Sequence, residues 1–409
     1  MSDSGLEGRR RVGEKIAPLD PTLGLRYADS PSSNPGQSFD EVQPETTAAF
    51  SNAKPFAYPP LYLRHPAAFR LLDLHPGDEG DGIKCTLRQG IRTNIRWRRM
   101  YYSALSYTWG NEPAVIPITV NESTFFVTLN LATALQGLRN SPKFGGKRTL
   151  WVDAICINQG DVNERNHQVA QMQEIYSGAQ EVIVWLGPAD STIKLAISFI
   201  HDLCEHFSEH KIFFGDDVNL KDYTLTSLGH ALEKVTTNLY QQKWCAVVEM
   251  LLKPWWTRVW VIQELASARR VILQCGKLNL SWAKMALAIE ILLSWHPSLT
   301  GMKLLRDLYL TEERAIIRAA SISFIRTSFR LEKKVDFEKL IELSLLSQCK
   351  DPRDKVYALL GLTQPDVKKI IQPDYDRPIA WTFAIVIKAH VHCHENLNIL
   401  GHIYVSDLF

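Results

Sequence analysis

The sequence predicts an α/β protein, a mostly parallel sheet with helices on both faces followed by a mainly helical C-terminal extension. Three observations carry that prediction. The apolar runs LWVDAICI (150–157) and EVIVWLG (181–187) are separated by one helix-length amphipathic segment, the spacing of a strand–helix–strand unit with a right-handed crossover. A second pair, the helical WWTRVWVIQELASA and the strand RRVILQCG, repeats the alternation. Beyond Gly276 the apolar spacing turns helical through WAKMALAIEILLSW, EERAIIRAASISFIR and DFEKLIELSLL.

Taken in order, residues 1–58 are rich in Ser, Pro, Gly and charge and read as a disordered leader, since they hold too little apolar surface to offset ordering entropy. Order is expected from about Leu61. FRLLDLHPGDEGDGIKCTL reads as strand, Gly/Asp turn and strand, and YYSALSYTWG as a buried strand ending in a Gly turn. ITVNESTFFVTL alternates around Asn121-Glu122, the pattern of a hairpin. In NLATALQGLRN, Leu131, Ala134, Leu135 and Leu138 share one helical face, with Asn130 placed to cap it. LWVDAICI reads as a single strand to Ile157. Asp161 and Glu164 then resemble a capping box, opening one helix that turns Val169, Met172, Ile175, Tyr176 and Ala179 inward. In CKDPRDKVYALLGL, Asp351 is the expected N-cap, Pro352 the first helical residue and Gly361 the stop. The expected domains are the leader 1–58, an α/β core over 59–276 and a helical extension over 277–409, whose apolar ending reads as that of a fragment.

Composition excludes several classes. Lys plus Arg total 46 against 44 for Asp plus Glu, so no electrostatic argument points to nucleic acid or a membrane surface. The cluster Arg92, Arg96, Arg98, Arg99 has no second basic block to support it. Seven scattered Cys fit reduced thiols and a cytoplasmic location. The N-terminus lacks a signal-peptide core, and FAIVIKAHVHCH is interrupted by Lys388 and His390 before it reaches spanning length. No metal site is expected: His206 and His210, or His392-Cys393-His394, lack a second ligand pair at zinc-finger spacing.

Three blocks together are distinctive: YSALSYTWG at 102–110, LWVDAICINQGDVNERNHQVAQMQEIYSGAQEVIVWLG at 150–187, and WWTRVWVIQELASARRVILQCG at 255–276. In this order they resemble the fungal heterokaryon-incompatibility (HET) domain, across roughly Leu61 to Leu362. The resemblance implies an effector of non-self recognition and regulated cell death. A weaker second resemblance is to TIR domains, of flavodoxin-like fold, some of which hydrolyse NAD through a single helical Glu. Here Trp260, Glu264 and Leu265 keep that spacing, with Val261 in place of Cys.

Glu264 has no cation at helical spacing, with Trp260 and Ala268 four residues away on either side. It is either a buried anchor, paired through Arg258 or Arg269, or a catalytic carboxylate. Nicotinamide leaves NAD as a neutral group, so one carboxylate stabilising the oxocarbenium-like transition state would suffice. The associated binding candidates are Ser106, Tyr107, Trp109, Asp153, Asn158 and Trp260. For each, a structural role stands beside the ligand role: Trp109 stacks on a base or packs in the core, Asp153 meets a ligand or buried donors, and Asn158 holds a ribose or its own loop. Glu164 is expected only to cap its helix, and Cys156 to be an inert buried thiol. No cofactor is required, NAD being the candidate substrate of the enzymatic reading. Its alternative is a non-catalytic module acting through self-association or signalling partners.

Overall fold

Residues 56–78, 80–93, 100–139, 147–209, 241–295 and 310–401 are described by the structure, a computed structural model. The expected leader lies outside them except at its end. There Phe56 and Tyr58, assigned to the leader by composition, stack edge-on with each other and with Phe125, so packed structure begins ahead of Leu61.

Among the described residues, nine strands form one sheet: β1 (Ala68–Leu74), β2 (Lys84–Ile91), β3 (Ser103–Tyr107), β4 (Ile116–Val120), β5 (Ser123–Val127), β6 (Arg148–Trp151), β7 (Glu181–Trp185), β8 (Val271–Cys275) and β9 (Leu278–Ser281). Their spatial order is β5-β4-β2-β1-β6-β3-β7-β8-β9. The four central strands, β6-β3-β7-β8, are parallel to one another. Every residue of β1 and of β3 is buried, which requires cover on both faces because successive side chains point to opposite sides.

The α/β class therefore stands, and the runs YYSALSYTWG, LWVDAICI, EVIVWLG and RRVILQCG each contribute a strand to this one sheet. The mostly parallel description fits the centre. Across the whole sheet, β2 adds one parallel pairing with β4, while β1 pairs antiparallel with both β2 and β6, β4 with β5, and β8 with β9. Within the central group the first strand in sequence, β3, lies between the second, β6, and the third, β7. That is the flavodoxin-like order, whose switch point falls between β3 and β7.

Thirteen helices are described, beginning with α1 (Leu129–Arg139), α2 (Asp153–Cys156), α3 (Val162–Ala170) and α4 (Met172–Gly178). They continue with α5 (Ser191–Glu209), α6 (Gln241–Leu251), α7 (Trp260–Ser267), α8 (Trp282–Trp295) and α9 (Leu310–Glu332). The last four are α10 (Phe337–Ser344), α11 (Asp354–Tyr357), α12 (Pro365–Ile370) and α13 (Ile379–His394). Among the described residues, no helix is long and apolar enough to cross a membrane.

Several local expectations change. LWVDAICI is not one strand: β6 stops at Trp151 and Asp153 opens the short helix α2, with the Val152 carbonyl accepting from the Ile155 and Cys156 amides. An unbroken apolar run cannot separate a buried strand from a buried helical turn. The helix after it breaks at Gln171, whose side-chain amide leaves the helix to donate to the Ala68 carbonyl of β1 at 2.9 Å. Asn130 lies inside α1, and Thr128 accepts from the Leu131 amide instead. The hairpin is as expected, with Asn121 and Glu122 both at positive φ (49° and 63°), the conformation of a tight two-residue turn.

At the C-terminal side, α11 begins at Asp354, and Asp351 instead accepts from the Arg353 amide and pairs with its guanidinium. Gly361 sits within a 3-10 turn where a Cβ would collide with Gln263 and Gln173. Close approach, not helix termination, is its role.

The boundary expected at 276 falls in the turn between β8 and β9, because β9 prolongs the sheet past it. The extension also packs into the core: α9 lies against α7 and α8. From α9, Arg326 donates to the Leu265 and Ala268 carbonyls at the C-terminal end of α7. A buried guanidinium thus satisfies acceptors that a helix end leaves open. The described residues form one unit, with a hydrophobic cluster among them running from Phe69 to Ile399.

Candidate functional site

β3 carries Ser106 and Tyr107 to its C-terminal end, β6 delivers Asp153 just beyond its own, and α7 brings Glu264 to both. Arg258 enters from the turn before α7, where its backbone bridges to Gln348. The structure therefore joins residues that are 158 positions apart in sequence.

The Ser106 hydroxyl donates to a Glu264 carboxylate oxygen and accepts from the Trp255 indole N–H at 2.7 Å. Tyr176, from α4, stands beside Glu264 and acts on its charge, while its hydroxyl donates to the Leu105 carbonyl at 3.4 Å. The other carboxylate oxygen faces the Arg258 guanidinium at 3.8 Å. Arg258 donates as well to the Tyr107 carbonyl, fixing the turn to the end of β3. Asp153 accepts from the Trp109 indole N–H at 2.9 Å and from the Ala154 amide at 2.7 Å, with Tyr107 close enough to act on its charge.

Two carboxylates thus share one guanidinium. Burial pushes the Glu264 carboxyl above its ordinary value, against the pull of Arg258 and Ser106, and the nearby Asp153 adds to the rise. Asp153 is also raised by burial, with Arg258 opposing. The desolvated Arg258 nevertheless holds its proton more firmly than usual, because Glu264 and Asp153 outweigh the cost of burial. Burial likewise raises Tyr107 and Tyr176 well above the usual phenol range.

Glu264 is 1% exposed, and the Arg258 side chain 18%. A catalytic Glu264 would need an open cleft before it, and that space is filled by protein. The β3/β7 switch point is also occupied: Asn130 accepts from the Trp185 indole at 2.9 Å and donates to the Thr108 carbonyl at 2.7 Å, spanning the ends of both strands.

Of the residues singled out from sequence, Glu264, Ser106, Tyr107, Trp109 and Asp153 come together. Asn158 does not: its amide donates to Glu164 at 2.6 Å, and its side chain accepts from Gly160 in the same loop. Trp260 lies instead beside Asp354 of α11, whose carboxylate accepts from the Tyr375 hydroxyl. Of the two partners weighed for Glu264, Arg258 is the one in place. Cys156 is a buried free thiol, its pKa pushed up by burial to about 12, too protonated for a nucleophile.

A second buried ion pair was missed. Arg70, within β1, makes two hydrogen bonds to Glu164, at 2.5 and 2.9 Å, and the side chains are 1% and 4% exposed. Arg70 also donates to the Pro59 and Cys156 carbonyls and lies 5.0 Å from the centre of the Tyr58 ring. Glu164 therefore does more than cap its helix, although Asp161 does accept from its amide at 3.1 Å. The available signal was an arginine inside the apolar strand FRLLDL, which demands a buried anion.

Comparison with known proteins supports the family reading. Residues 102–264 match the family described as "Heterokaryon incompatibility protein (HET)", a span that holds the whole Ser106–Glu264 cluster. The chain is 29% identical over 358 residues to "Heterokaryon incompatibility protein 6, OR allele" of Neurospora crassa, an alignment covering 78% of this chain and 51% of that protein. The chain thus spans about half the length of this relative. No solved structure matches it.

Proposed function

We propose that this chain, whose residues 102–264 match the heterokaryon-incompatibility (HET) family, acts in fungal heterokaryon incompatibility as a non-catalytic signalling module, working in the cytoplasm through self-association or partner proteins. The observation behind the non-catalytic part is the closure around Glu264. A carboxylate that stabilises a developing cation must meet the reacting sugar, and this one meets Ser106, Tyr176 and Arg258 at 1% exposure. Its surroundings are those of a buried anchor that fixes α7 to the end of β3.

The test joins a cellular and a chemical readout. Expression in a filamentous fungus should arrest growth or kill the cells, and a Glu264→Gln variant of equal abundance should retain that effect. Purified protein incubated with NAD should release no nicotinamide. NAD cleavage by the wild type that disappears in a folded Glu264→Gln variant would overturn this reading in favour of a glycohydrolase.

A further inference from the structure

On another side of α7, a cavity of about 450 Å³ opens between α4, the end of α7, the end of α9 and the Gly361–Lys368 segment. Four cations line it, Arg269, Arg330, Lys333 and Lys368, and no Asp or Glu does. Phe329 supplies an apolar wall. At its lining, Ser267 is 7% exposed, and its hydroxyl has no hydrogen-bond partner among the described residues.

That combination is unusual for a surface that only meets water. A buried hydroxyl ordinarily finds a partner, and four like charges around one hollow repel one another. The cations are not equivalent. Arg330 is turned onto the Ala268 and Arg269 carbonyls, and Lys368 onto the Gly361 carbonyl at 2.9 Å. The side chains of Arg269 and Lys333 are exposed and make no hydrogen bond or ion pair among the described residues; only their backbones are bonded, the Arg269 carbonyl to Arg330 and the Lys333 amide to the Phe329 carbonyl. Lys333 ends α9 at a φ of 62°, a left-handed conformation normally left to glycine. Glu174 is the carboxylate acting on Lys368, and it lines a smaller adjoining cavity of about 60 Å³.

We propose that this cavity binds a small phosphorylated molecule carrying at least two phosphate charges, with Arg269 and Lys333 contributing most of the attraction and the Ser267 hydroxyl donating to the anion. The volume lies within the usual range for small-molecule sites, and the mixture of cations with one apolar wall matches an organic diphosphate. This proposal is independent of whether Glu264 is catalytic, because the two sites share no lining residue.

The full chain should be titrated calorimetrically, at low salt, with inorganic pyrophosphate, ADP and adenosine. Pyrophosphate and ADP should bind and adenosine should not. ADP binding at least tenfold tighter than pyrophosphate would assign the Phe329 wall to an organic group, and equal affinities would assign the site to inorganic polyphosphate. Arg269→Ala and Lys333→Ala should each weaken binding about tenfold, without shifting the melting temperature because both side chains are exposed. Ser267→Ala should weaken it severalfold. Lys339→Ala and Lys369→Ala, which alter exposed lysines paired with Glu342 and Asp366 away from the cavity, should have no effect. Absence of pyrophosphate and ADP binding at millimolar concentration would overturn the proposal. Equal losses in the control variants, or adenosine binding as tightly as ADP, would do so as well.

Discussion

The hydroxyl of Ser106 lies between the indole N–H of Trp255 and the carboxylate of Glu264, accepting from one and donating to the other. A single strand residue thereby joins the turn before α7 to α7 itself. The charge partner on the far side of that carboxylate is Arg258, which also faces Asp153. This arrangement makes Arg258 the member whose loss is least replaceable.

Arg258→Met should therefore destabilise the protein by about 3–5 kcal/mol, the usual cost of leaving buried charge unpaired. Glu264→Gln should cost only about 1 kcal/mol, one degraded hydrogen bond, because Asp153 still answers the guanidinium. Urea denaturation of the two variants measures both, and a larger loss for Glu264→Gln would contradict the shared-cation arrangement.

The same group has a pH signature. Its carboxyl is raised in the folded state above the ordinary 4.5, by burial first, so the folded protein binds that proton more tightly than the unfolded chain. The resulting stabilisation is complete below 4.5 and is lost as pH rises through the folded value. Glutamine mimics the protonated acid, so the penalty for Glu264→Gln should shrink as pH rises from 4.5. Asp73 behaves in the opposite sense. Burial works against its charge, but hydrogen bonds from Arg88, Thr149 and Lys147 outweigh it, so its contribution is present above 3.8 and fades as pH falls. Melting temperatures of wild type and Glu264→Gln, compared between pH 4 and 7, provide the check.

For the Arg70–Glu164 pair the expected loss on Arg70→Met is again about 3–5 kcal/mol, and Arg70→Lys should recover only part of it. An ammonium cannot reproduce two parallel hydrogen bonds to one carboxylate. Full recovery by lysine in a denaturation experiment would show that charge alone, without fork geometry, holds the pair.

Gly361→Ala tests a steric claim. The Gly361 amide donates to the Gln263 side-chain oxygen at 2.9 Å, and an added methyl would overlap Gln263 and Gln173. The substitution should cost roughly 1–3 kcal/mol, as overpacking does. A melting temperature equal to that of the wild type would mean that Gln263 moves aside freely.

The central strands and their neighbours were legible because apolar runs and helical spacing report burial directly. EVIVWLG and RRVILQCG became β7 and β8, and the hairpin at Asn121-Glu122 came from turn chemistry that only a few residues satisfy. The convergence of Ser106, Asp153 and Glu264 was legible only as a candidate set, carried by family blocks. Its closure was not, since whether a carboxylate looks into a cleft depends on Tyr176 and Arg258 arriving from elsewhere in the chain. Gln171 shows the same limit: the helix pattern continues through it, yet the helix is interrupted there, where its side chain and that of Gln168 both reach the Ala68 carbonyl of β1. Position-by-position patterns carry no information about such tertiary partners. Arg70 is the exception that could have been read, since an arginine within a buried strand needs an anion.

The segment that matches the family, 102–264, holds β3 to β7 but lacks β1, which pairs with β6, β2, which pairs with β4, and β8, which pairs with β7. It also stops inside α7, ahead of the Leu265 and Ala268 carbonyls that Arg326 caps. Excised on its own, that segment would present raw edges on β4, β6 and β7 and a truncated helix, surfaces that invite strand-to-strand aggregation. The portion that matches the family is thus smaller than the portion that can stand alone. A soluble fragment needs β1 at one end and α9 at the other.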